Sequence, residues 1–164
     1  MQFLVHVWRS RPAIGNILGW MLGWGTVTPL CILADYLLWR HMLPPNSLRL
    51  NVIFALGAAL AAPLAIWCIR ILSSKNANTA FAASFVLLGI GTIGLTALIF
   101  ALDFWQYFVQ WHGQAFSKLW LNQFIYTCAS ALYQFLVSGL RLYLPFGFLA
   151  LVAASLWASK RIMR

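Results

Sequence analysis

Long stretches of this chain are apolar and almost free of charge, and that constrains its folding more than any motif does. From Ile14 to Trp39 the single charged residue is Asp35, from Asn51 to Leu72 it is Arg70, and from Phe81 to Val109 it is Asp103. Each stretch reaches the roughly 20 residues that an α-helix needs to cross about 30 Å of hydrocarbon. Each also ends where a helix in lipid should end. The segment Arg40-His41-Met42-Leu43-Pro44-Pro45-Asn46 closes the first, because consecutive prolines cannot donate to a helical ladder, and Ser73-Ser74-Lys75-Asn76-Ala77-Asn78 closes the second. Pro63, near the middle of the second stretch, should bend it. The third emerges through Phe104, Trp105, Tyr107, Phe108 and Trp111, an aromatic cuff of the kind that favours the boundary between lipid and water.

Composition excludes the soluble alternative. Of 164 residues, 63% are hydrophobic and 8% charged, and Asp35 and Asp103 are the only acids. A soluble domain of this size could not keep that much apolar surface from water. The net charge of +9 is spread singly or in pairs at the ends of the apolar stretches. That placement suits anchoring at anionic headgroups, so membrane lipids are the expected partners and nucleic acid is not. Arg9 and Arg11 follow an apolar opening rather than precede it, which does not fit a cleavable signal peptide, and the first helix is expected to be retained. His6, beside Trp8 and Arg9, fits an interfacial position. Cys31, Cys68 and Cys128 form no CxxC pair and read as small hydrophobes in helix packing. No zinc-protease, P-loop or nucleophile-elbow motif is present, so neither a cofactor nor an enzymatic activity is expected.

The stretch from Lys118 to Lys160 admits two layouts. Gln123, Thr127, Ser130, Gln134, Ser138 and Arg141 follow one another at steps of three or four, which places them on a single helical stripe. The stripe predicts one amphipathic helix over about 119–141, lying in the interface or burying its polar side in a bundle. The last span would then occupy about 139–159, with a break at Pro145, whose missing N–H leaves the Arg141 carbonyl without a helical donor. Four spans put Arg9, Arg11, Arg70, Lys75, Lys160, Arg161 and Arg164 on one side and Arg40, Arg49, Lys118 and Arg141 on the other, seven against four. Five spans give five against six, so the positive-inside rule selects four. The expectation is an all-α integral membrane protein with four transmembrane helices, at about 14–39, 51–72, 81–109 and 139–159, plus the interfacial helix. Residues 1–164 are expected to form one multi-pass domain in a bacterial inner membrane, with both termini inside.

Two groups of residues are candidates for function. Gly15, Gly19 and Gly23, with Gly25 nearby, form a ridge where another helix backbone can come close, and a helix of the same chain is the expected neighbour, with a second protein as the alternative. Asp35 and Asp103 stand near the outer ends of their helices. Each is expensive in hydrocarbon, and pairing of at least one with Arg40 or Arg141 is expected, whereas Arg49 should sit hydrated in a loop. A proton- or cation-coupled site is the rival reading of these charges, and a metal site from Asp35, His41, Asp103 and His112 lacks diagnostic spacing. The polar stripe reads as the wet face of the interfacial helix, with a water-filled path as its rival. Together these features suggest a non-catalytic membrane subunit or accessory protein, packing into a larger complex or a homo-oligomer. A small transporter or channel is the alternative, and an immunity or exclusion factor fits by form alone.

Overall fold

The computed structural model describes residues 12–41, 43–72 and 76–162, and no strand occurs among them. His6, Trp8, Arg9, Arg11, Lys75 and Arg164, on which the expected topology partly rests, lie outside the described residues. Helix α1, Ile14–Ala34, runs on through a π-helical turn at Asp35–Trp39. Helix α2 is Ser47–Leu72, and α3 is Ala77–Phe108 with a 3-10 turn at Val109–Trp111. Helix α4, Lys118–Gln134, continues through a π-helical turn, Phe135–Gly139, and a 3-10 turn, Leu140–Tyr143, before α5, Phe146–Ile162. Three of these units, α1, α2 and α3 with the turns that extend them, are long and apolar enough to cross a membrane. The segment Lys118–Tyr143 and α5 meet that test together, as a pair bent by 69°, which raises the number to as many as four. This architecture is compatible with a membrane location.

Local chemistry explains the boundaries, including three that differ from expectation. Helix α3 starts at Ala77 rather than Phe81, behind Asn76, whose Oδ1 accepts from Asn78 N at 3.2 Å. Helix α2 starts before Asn51, so Arg49 belongs to its first turn rather than to a loop. The amides of a first turn need no helical acceptor, so a Pro44-Pro45 pair can lead straight into a helix. Here Ser47 N donates to the Pro44 carbonyl at 3.0 Å and Leu50 N to the Asn46 carbonyl at 3.1 Å. The last helix starts at Phe146 rather than Gly139. Leu144 N closes a tight turn on the Arg141 carbonyl at 3.2 Å, and the ladder restarts when Leu149 N reaches the Pro145 carbonyl, also at 3.2 Å. At the start of α4, Ser117 Oγ accepts from Trp120 N at 3.1 Å, a side-chain cap that satisfies one free amide.

Helices α1, α2, α3 and α5 pack as a ring in which each touches the next, and α4 lies against α3. The inward faces repeat every fourth residue: Trp20, Trp24, Thr28 and Ile32 on α1, and Ala80, Ser84, Leu88, Thr92 and Thr96 on α3. Ridges at that spacing interdigitate between neighbouring helices. Buried hydroxyls on these faces turn back on their own helix, Ser84 Oγ donating to the Ala80 carbonyl at 2.7 Å and Thr28 Oγ1 to that of Trp24 at 2.9 Å. They cost little to bury because each is bonded within its helix. The core has two parts. Toward the chain termini, Trp20, Trp24, Ala58, Ala62, Ala65, Leu88 and Ala158 pack together. Toward the opposite end the cluster is Ile32, Ile53, Phe54, Phe135 and Leu142.

Candidate functional site: the charged end of the bundle

Both acids carry an arginine partner, and the partners are different. Asp35, 2% exposed, accepts from Arg40 Nε on its Oδ2 at 2.8 Å. In a regular α-helix, residues five apart point about 140° apart round the axis. The π-helical turn alters that relation by joining residue i to residue i+5. Arg40 N donates to the Asp35 carbonyl at 3.1 Å, which brings the two side chains onto one side of the helix. The guanidinium also sits 5.7 Å from the centre of the Tyr36 ring.

Asp103 Oδ1 accepts from Arg49 Nη2 at 2.7 Å and from Arg49 Nε at 3.0 Å, across α2 and α3. Arg141, expected as a partner for Asp103, is exposed and makes no ion pair among the described residues. It stands on the 3-10 turn whose inward places are taken by Leu142, buried in the core, and by Tyr143, whose hydroxyl donates to Thr96 Oγ1 at 2.9 Å. Matching depths along the membrane placed Arg141 near Asp103; the rotation of its turn directs it elsewhere. Among the described residues no three His, Cys, Asp or Glu side chains come together.

The polar stripe of α4 divides into two parts. Gln123 Oε1 accepts from Gly113 N at 2.8 Å, and Thr127 Oγ1 lies 3.2 Å from His112 Nε2, so its first half ties α4 to the loop after α3. Ser130 borders a shallow hollow beside Phe104 and Phe108. Gln134 and Ser138 border a separate cavity of about 210 Å³ that also meets Arg40.

Among the described residues, no helix packs onto the glycine ridge. A Cβ built on Gly15, Gly19 or Gly23 would meet nothing within 4 Å. Between α1 and α5 the rings of Trp20 and Trp157 are in contact, with centres 4.8 Å apart, and such bulk holds the two backbones apart. The result is an open groove lined by Gly19, Gly23, Ala150, Ala153 and Ala154. Close approach occurs at two other glycines. A Cβ on Gly25 would lie 2.9 Å from Ala59 Cβ, and one on Gly57 would lie 2.7 Å from Thr96 Cα and overlap Thr96 Oγ1. The sequence pattern did not mark Gly57, Thr92 or Thr96, and it placed Arg49 hydrated in a loop, whereas Arg49 stands in the first turn of α2 and pairs with Asp103. The fourfold stride from Ala80 to Thr96 could have pointed to the threonines, since small and hydroxyl side chains repeat there on one face.

Thr92 and Thr96 are the polar anchors of the centre: Trp24 Nε1 donates to Thr92 Oγ1 at 2.8 Å, and Tyr143 reaches Thr96. No known protein family, curated protein or solved structure matches this chain.

Proposed function

We propose that this chain is a non-catalytic, four-span membrane subunit that docks a transmembrane helix of a partner protein, or of a second copy, on the outer face of α1. In this reading both termini are cytoplasmic, and the bent unit of α4, its turns and α5 supplies the fourth span, with the start of α4 at the outer boundary of the bilayer. The observation that carries it is the ridge of Gly15, Gly19 and Gly23, where an added Cβ meets nothing within 4 Å among the described residues. Apolar area alone drives little association between helices in lipid, and close backbone contact over small residues supplies the dispersion that does. The rival transport reading has less support, because each acid is held by its own arginine and neither borders the cavity that Arg40 enters.

The test is assembly in mild detergent and in native membranes. Gly19→Leu and Gly23→Leu should abolish the assembled species, since a bulky side chain holds a docking backbone away, whereas Gly23→Ala, whose methyl meets nothing within 4 Å among the described residues, should leave the thermal stability of the chain unchanged. A wild-type chain that stays a lone monomer in both settings would remove the reading. Tags on the two termini should both report the cytoplasm, and a C-terminal tag outside would replace the four-span layout with five spans.

A further inference from the structure

Two π-helical turns in this molecule border one cavity. Asp35–Trp39 contributes Tyr36 and is closed by Arg40; Phe135–Gly139, preceded by Gln134, contributes Phe135 and Ser138. A π-helical turn interrupts the i→i+4 ladder and re-aims the side chains around it, and such turns recur at functional sites. The second turn is shaped against the cavity wall: a Cβ on Gly139 would come within 2.6 Å of the Phe135 ring, so the ring in this position needs a glycine beside it.

The lining of the cavity is amphipathic. Phe54, Phe100, Phe135 and Leu142 form apolar wall, while Arg40, Gln134 and Ser138 supply polar groups. A guanidinium has five N–H donors. Arg40 places Nε on Asp35, and its two terminal nitrogens have no acceptor among the described residues although the side chain is 40% exposed. That bond holds the planar fork in place with its free edge unengaged, the arrangement that suits two parallel hydrogen bonds to a phosphate. Among the described residues Arg40 is the one charged residue in the cavity lining, so an anion there meets a cation and no carboxylate. Exposed Trp39, next to Arg40, is the residue type that settles at headgroup level.

We propose that this cavity binds an anionic phospholipid. The phosphate meets the terminal nitrogens of Arg40, Gln134 and Ser138 donate to its remaining oxygens, and the first methylenes of the lipid lie on the partly exposed Leu50 and Phe100. At about 210 Å³ the cavity admits the head and the start of one chain, and the rest of the lipid lies along the apolar exterior. The site does not depend on the identity of the partner at the glycine ridge, so it is tested on the isolated chain.

The experiment is native mass spectrometry of the full chain, stripped of lipid in detergent and then offered phosphatidylglycerol, phosphatidylcholine, diacylglycerol or inorganic phosphate. Phosphatidylglycerol should be retained over phosphatidylcholine, and diacylglycerol should not be retained. Two variants are measured alongside. Asp35→Asn with Arg40→Gln removes both charges together, and Ser138→Leu fills the polar edge while leaving the ion pair intact. Each folded variant should lose about tenfold in phosphatidylglycerol retention, the scale of one charge-assisted hydrogen bond. If the double variant does not fold, Ser138→Leu decides alone. Equal retention of all three lipids, or undiminished retention in a folded variant, overturns the site. Stabilisation by inorganic phosphate equal to that by phosphatidylglycerol overturns the lipid in favour of a small anion.

Discussion

The two halves of the bundle are held by different chemistry. Toward the chain termini the core is made of Ala58, Ala62, Ala65, Ala158 and Leu88 around Trp20 and Trp24, and an open groove runs along its outside. Toward the other end the core is Ile32, Ile53, Phe54, Phe135 and Leu142, braced by two arginine–aspartate pairs and by two π-helical turns. In lipid, apolar burial between helices is worth little, because the tails are as apolar as the side chains. The terminal half is packed from alanines around tryptophans, with the bond from Trp24 Nε1 to Thr92 Oγ1 as a directional contact, and along Gly19 and Gly23 it is left open. The charged half relies on directional contacts, which also fix how its helices are rotated. Glycines mark close packing at Gly25 and Gly57 and an open groove beside the Trp20–Trp157 contact.

The largest expected effect breaks the charged half. Arg40→Ala leaves the Asp35 carboxylate buried without its partner. Removing one member of a buried pair costs about 3–5 kcal/mol, and the partial exposure of Arg40 places the loss near the lower figure. Thermal unfolding in detergent measures it, and the double variant Asp35→Asn with Arg40→Gln should recover most of the loss. A double variant no better than Arg40→Ala would mean that the pair contributes geometry rather than charge compensation.

A smaller effect sharpens the contrast between packed and open glycines. Gly57→Ala forces a methyl into Thr96 and should cost about 1–3 kcal/mol, the range for overpacking a filled site. Gly23→Ala, with nothing near its added methyl, should stay within about 0.5 kcal/mol of the parent. Unfolding temperatures of the two variants check this, and equal losses would undo the distinction.

The smallest effect separates the two ion pairs. Arg49 and Asp103 are 55% and 30% exposed, so Arg49→Ala should cost at most about 1 kcal/mol, and less in high salt. Arg141→Ala removes no ion pair and should change less still. A loss from Arg141→Ala that exceeds that from Arg49→Ala would reverse the assignment of Asp103 to Arg49.

Much of the architecture was legible because helix formation in such a chain is local. Ile14–Trp39 matches its expected bounds, since Pro44 and Pro45 and the surrounding charges leave little room to shift them. The bend after Tyr143 follows from Pro145 alone. The site was less legible. Asp35 and Arg40 could be named as candidates, but their contact uses a π-helical turn, and nothing in the residue spacing marks where a ladder slips by one.

What the sequence determined by itself is the inventory: helical segments long and apolar enough for lipid, their breaks, two costly acids and a polar stripe on α4. These depend on hydrophobicity, proline and period, all of which act within a few neighbouring residues. Only the tertiary structure decided which arginine each acid takes, which glycines touch a neighbour, and that Gln134, Ser138 and Arg40 share a cavity. Those choices depend on how far each helix is turned about its axis, and one residue changes that angle by about 100°. A shift that small leaves hydropathy and charge counts untouched, yet it exchanges Arg141 for Leu142 at the core.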